Sequence, residues 1–223
     1  MSNSALLKSS LAKKYWMALT GLFLSFFLII HLIGNLPLLF DGMQDSFNEY
    51  SQFMTSFPLI KVVSYVLYAS ILFHTVDGIM LAVQNKKARP EKYAMNKPST
   101  NSSWASRNMA LLGIIILAFI IIHMRSFWFE YKFGELPEVN GFKDLYTITI
   151  AAFGEWWYSA FYVICMLALA FHLSHGVQSA FQSLGLSHPR YTPAIKKAGA
   201  AFAWVFPLAF AVIPIVVYIK SLS

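Results

Sequence analysis

The sequence predicts an all-α integral membrane bundle of five transmembrane helices, with the N-terminus cytoplasmic and the C-terminus outside. Three observations predict it. Hydrophobic residues make up 57% of the 223-residue chain and charged residues 12%, against about a quarter charged in soluble domains. Runs long enough to cross a hydrocarbon core, about 20 apolar residues each, occur five times, near residues 16–40, 59–84, 108–129, 157–184 and 199–220. Basic residues collect in alternate connections. So little sequence lies outside the spans that residues 1–223 read as a single transmembrane domain.

The first run is too long for a secretory signal peptide and lacks a small-residue cleavage site. It is preceded by Lys8, Lys13 and Lys14. The link between the second and third runs holds Lys86, Lys87, Arg89, Lys92, Lys97 and Arg107, and the link between the fourth and fifth holds Arg190, Lys196 and Lys197. That is twelve of seventeen basic residues on one side, which the positive-inside rule assigns to the cytoplasm. Asp41, Asp45, Glu49, Glu130, Glu135, Glu138, Asp144 and Glu155 gather on the other. The net charge of +7 therefore reports topology in a lipid bilayer and no affinity for nucleic acid.

Local punctuation follows the same division. After Pro90 and Pro98, the polar run 99–103 offers caps, and Ser103 or Ser106 is expected to open span three. The larger outer connections are 40–57 and 130–155, the second with Gly134, Pro137 and Gly141. Trp156, Trp157 and Tyr158 suit an interfacial aromatic belt. Gly185 fits the end of span four, with Pro189 beyond it. Pro207 and Pro214 are expected to bend span five, which carries no histidine and reads as a buttress. No internal repeat points to a transporter of duplicated halves.

Chemistry enters with His31, His74, His123 and His172, one in each of the first four spans. An ionisable side chain in hydrocarbon is costly and marks function. Helical rise converts sequence position into depth: from the outer ends of their spans, His31 and His123 lie roughly 13 and 9 Å deep, and His74 and His172 roughly 24 Å deep. Two layers result, each supplied by two helices. Facing imidazoles across a helical bundle hold b-type haem, so the layers predict two haems b: an outer one with iron ligands His31 and His123, and an inner one with His74 and His172. A single intramembrane histidine is more often an interhelical hydrogen bond or a proton relay; two matched layers argue otherwise. Cys165 is the only cysteine, which removes both a disulfide within the chain and a C-x-x-C-H attachment site.

Small residues beside the ligands, Gly78 and Gly176 four positions after His74 and His172, and Gly34 with Asn35 after His31, leave room for a macrocycle. His175, one turn beyond His172, is the alternative inner ligand or a propionate contact, and His188 reads as a solvated loop residue. Asp77 shares a face with His74 and is either a proton carrier or an ordinary interhelical hydrogen bond. Arg107 suits an inner-haem propionate or a cytoplasmic anchor; Arg125 suits an outer-haem propionate or snorkels to headgroups. Reduction of a quinone consumes protons, and Glu49, backed by Asp45, is the candidate group at an outer quinone site, against the plainer reading of a solvated loop acid.

With Phe171-His172-Leu-Ser-His-Gly176 ending at Gly185, Ser103-Trp-Ala-Ser106-Arg107-Asn-Met109 opening span three, and ligand histidines in four of five spans, the chain resembles the cytochrome b membrane anchor of succinate:menaquinone and quinol:fumarate oxidoreductases, of the type with one five-span, di-haem subunit. The resemblance covers nearly the full length and places the family's ligand on His172. It implies the electron-transfer and quinone-reactive subunit of respiratory complex II in a bacterial inner membrane. A flavoprotein with covalent FAD and an iron–sulfur subunit would dock on its cytoplasmic face, and menaquinone would react near the outer haem. The chain itself would contribute no catalytic residue to dicarboxylate chemistry. Some fumarate-reducing relatives carry a glutamate two residues before the span-four ligand; Ala170 stands there in this chain, which favours the succinate-oxidising direction. The rivals are the haem b anchor of a hydrogenase or formate dehydrogenase, and a haem-free proton-coupled transporter.

Overall fold

In apolar surroundings a backbone must satisfy its own hydrogen bonds, and for uninterrupted runs of Leu, Ile, Phe and Ala the helix is the form that does so. The computed structural model of the chain describes residues 10–87 and 102–223. Its helices are α1 (Ser10–Asn35), α2 (Gln44–Ser56), α3 (Pro58–Lys87), α4 (Trp104–Arg107), α5 (Met109–His123), α6 (Glu130–Phe133), α7 (Leu145–Gly154), α8 (Trp156–Ser183) and α9 (Thr192–Ser221). Five stretches are long and apolar enough to cross a membrane: Leu11–Leu39, Pro58–Lys87, Met109–Phe133, Trp156–Ser183 and Thr192–Ser221. Each overlaps a run expected from sequence, and the fold is the expected all-α bundle. Lys8, Arg89, Pro90, Lys92, Lys97, Pro98 and residues 99–101 of the polar run lie outside the described residues.

The ends of the spans follow their capping chemistry. Ser103 accepts a hydrogen bond from the Ser106 N–H at 3.1 Å, but the turn it caps is only α4, which gives way at Asn108 before α5 begins. At the far end of α8, Gly185 adopts φ +76°. Its N–H reaches the Gln182 carbonyl and the Leu186 N–H reaches that of Phe181, a Schellman closure that glycine permits at no steric cost. The third span is not uniform: directly after His123 the chain widens into a π-helical turn, Met124–Phe129, before α6. Helix α9 runs through Pro207 and Pro214, both fully buried.

Four spans form a ring. Helix α1 packs on α3, α3 lightly on α5, α5 on α8, and α8 back on α1. The α1–α5 and α3–α8 diagonals have no comparable packing. Helix α9 lies against α8 and α1, close to α8 because Gly199, Ala203 and Ala211 are small and buried at the contact, the usual device where backbones approach in membranes. Leu59, Tyr65, Leu72 and Phe73 on α3 point outward, as expected of a helix facing acyl chains.

One end of the bundle is capped by short elements. Helix α2, a hairpin of β1 (Glu138–Val139) and β2 (Phe142–Lys143), and α7 lie there. The hairpin turns on Asn140 and Gly141, both at positive φ, the Asn-Gly preference of a type I′ turn. Asp144, 3% exposed, accepts from the Thr147 N–H at 3.2 Å, Asn48 Nδ2 at 2.9 Å and Gln44 Nε2 at 3.0 Å. Asn48, wholly buried, also accepts from the Tyr146 N–H at 2.9 Å. Asp144, expected only as one of the outer acids, is thus the pin joining α2 to the start of α7. Lys220 near the end of α9 donates to Asp41 at 2.7 Å, so α9 finishes at the same end as the connection after α1, as an odd number of spans requires.

Candidate bis-histidine sites

The histidines expected to pair do meet, and they meet across the diagonals of the ring. His31 of α1 and His123 at the last position of α5 have ring centres 5.6 Å apart with planes at 87°. His74 of α3 and His172 of α8 have ring centres 6.3 Å apart with planes at 69°. Helices without substantial packing between them thus meet through imidazole rings. The ring that meets His74 belongs to His172; His175 is part-buried one turn further along α8.

The two levels are lined differently. Around the first, His31 stacks on Phe27 at 5.1 Å and lies 5.7 Å from Phe210, while His123 stands between Phe119 at 5.6 Å and Phe127 at 5.4 Å. His123 Nδ1 is 3.1 Å from the Tyr162 hydroxyl, which is 3.1 Å from that of Tyr158. At the second level the neighbours are small: His74 Nδ1 is 3.1 Å from Thr20 Oγ1, and a Cβ on Gly21 would come within 3.1 Å of His74 Cε1. His172 Nδ1 is buried with no hydrogen-bond partner.

This donor set suits a planar metal macrocycle. Among the described residues no group of three or more His, Cys, Asp or Glu side chains converges on one point. Two imidazoles per level fall short of the protein ligands a structural zinc takes, whereas a pair of histidines could hold the iron of a b-type haem.

Other expected site residues are placed elsewhere. Arg125 pairs with Glu130 and lies over the Phe129 ring at 4.8 Å; its guanidinium serves the surface beyond the π turn. Arg107, exposed at the end of α4, donates to the Ser102 carbonyl. Glu49 is exposed on α2, and its neighbour Asp45 accepts from Asn140 Nδ2 at 2.9 Å. Asp77 is part-buried on α3. His188 accepts from the Arg190 N–H and stacks on Tyr191 at 5.1 Å, a loop role as expected. The space beside Gly34 is taken by the Tyr50 ring, whose Cε1 would lie 2.2 Å from a Cβ there, so Gly34 serves the α1–α2 contact. Asn35 donates to the His31 carbonyl at 2.7 Å. Gly176 is open to 4 Å in the direction a Cβ would take, and Gly78 meets only Met17 Cε at 3.8 Å.

Thr20, Gly21 and Tyr162 were not singled out from sequence, and Tyr158 was expected only in an interfacial aromatic belt. The Thr-Gly step inside a run of bulky residues was an available signal, since hydroxyl and small residues mark close helix contacts in membranes. Tyr158 and Tyr162, one turn apart on one face, were another. Comparison with known proteins found no family model, no curated protein and no solved structure that matches the chain.

Proposed function

We propose that the chain is the haem b-carrying membrane anchor of a respiratory complex II, passing electrons between an iron–sulfur subunit and menaquinone during succinate oxidation or fumarate reduction. The observation that carries this reading is the meeting of two histidine pairs on the diagonals of a four-helix ring, at ring-centre distances of 5.6 and 6.3 Å. Close packing alone gives no reason for diagonal helices to be bridged twice by imidazole.

Haem b, when bound, supplies reversible one-electron storage whose potential is set by its ligands and surroundings. His31 with His123, and His74 with His172, would hold iron at the two levels. Phe27, Phe119, Phe127 and Phe210 exclude water around the first pair. The N-terminus is assigned to the cytoplasm on the basic connections, and the flavoprotein and iron–sulfur partners to that face. Menaquinone is assigned to the opposite end, near the first pair and the α2 connection that carries Glu49.

A reduced-minus-oxidised optical spectrum tests the core of the proposal. Two haems b per chain are expected, and His31→Leu or His123→Leu should remove one of them and spare the other. A spectrum with no b-type α band would leave a haem-free transporter as the better reading. Copurification of a covalent flavoprotein and an iron–sulfur protein would distinguish complex II from the anchor of a hydrogenase or formate dehydrogenase.

A further inference from the structure

We infer that Thr20 is a positioning residue that fixes the tautomer of His74 and leaves its Nε2 lone pair free for a ligand; the inference rests on the haem reading above. The Thr20 hydroxyl has one proton, and it lies 2.7 Å from the Trp16 carbonyl, one turn back on α1. A carbonyl can only accept, so this contact commits the proton. The hydroxyl oxygen is then left to accept from His74 Nδ1, 3.1 Å away. The Nδ1 nitrogen must carry the hydrogen, and in a neutral imidazole Nε2 must carry the lone pair. That is the tautomer a metal ligand needs, and ligating histidines are commonly fixed through their other ring nitrogen in this way.

The neighbouring residue completes the seat. With Gly21 directly under His74 Cε1, the ring can lie against α1; a Cβ would press on the ring at 3.1 Å. Helix α1 thus bears His31 of one pair and steadies His74 of the other, although His74 belongs to α3. Its opposite number, His172, has Nδ1 buried without a partner. One imidazole of the second pair is therefore held through its Nδ1 by a hydrogen bond and the other is not.

The test is Thr20→Val, which keeps the branched shape and removes the hydroxyl acceptor while leaving the Met17 carbonyl beside the ring, with Thr20→Ser as the conservative control. Haem content and a redox titration of both haems are read on the purified membrane protein. Retention of one haem is expected to fall about 10- to 100-fold with a shift in its midpoint potential alone; Thr20→Ser should restore both. If Thr20→Val does not accumulate, Thr20→Ala is read the same way. A Thr20→Val protein with two haems at wild-type potentials would overturn the inference while leaving the haem reading intact. Equal loss of both haems, or no rescue by serine, would assign Thr20 a purely structural part. Wild-type protein without haem would overturn both readings.

Discussion

Tyr50 folds its ring back over Gly34 and donates its hydroxyl to the Ile30 carbonyl at 3.3 Å. The glycine is required by that close approach. Gly34→Ala is expected to destabilise the protein by about 1–3 kcal/mol through overpacking, read as a lower thermal midpoint in detergent. Tyr50→Ala in the same chain should recover part of the loss, because the two changes share one contact. Asp144 works by hydrogen bonding. Burial pushes its carboxyl pKa up, but the bonds from Thr147, Asn48 and Gln44 outweigh it and hold the value below the ordinary range. Its contribution is therefore complete above the unfolded value of about 4 and fades as pH falls through the lower folded value. Asp144→Ala leaves buried donors without a partner and should cost about 1–3 kcal/mol. In unfolding titrations the difference from wild type should shrink at low pH; a difference independent of pH would contradict the charged-cap account.

At the scale of elements, what sequence reveals depends on which physical signal sets the element. Membrane helices announce themselves through length and composition, and the capping roles of Ser103 and Gly185 follow from side-chain reach and positive φ. The depth of each histidine follows from helical rise, which is why the pairing could be anticipated before any packing was known. Rotation about each helix axis is not given by rise, so the partners of His74 and His123 on neighbouring spans stayed out of view. The short elements capping one end of the bundle were less accessible still. In α7, Thr147, Ile148, Thr149 and Ile150 are β-branched residues that favour strands, yet the stretch is a helix capped by Asp144, whose partners lie on α2. The π turn after His123 has no proline or glycine to advertise it. Arg125 and Glu130, on and just after that turn, pair with each other.

For the whole molecule, the arrangement of a four-helix ring with α9 outside it agrees with the expectation of a histidine-free buttress. Membrane orientation can be read with thiols, because Cys165 is the only cysteine and is 2% exposed. A membrane-impermeant maleimide should leave the parent protein unlabelled in intact cells. Glu49→Cys is expected to label from outside, whereas Lys197→Cys should label only after the membrane is opened. The reverse pattern would invert the topology drawn from the basic connections.

The bond between Asn48 and Asp144 spans 96 positions of sequence. A ribosome adding about 5–20 residues per second needs roughly 5–20 s to cover that distance. Throughout that interval the connection between the first two spans is complete as a chain, while Asn48 lacks its eventual partner. Closure of this end therefore trails the synthesis of the first two spans, and a nascent protein halted before residue 144 would leave it unlatched.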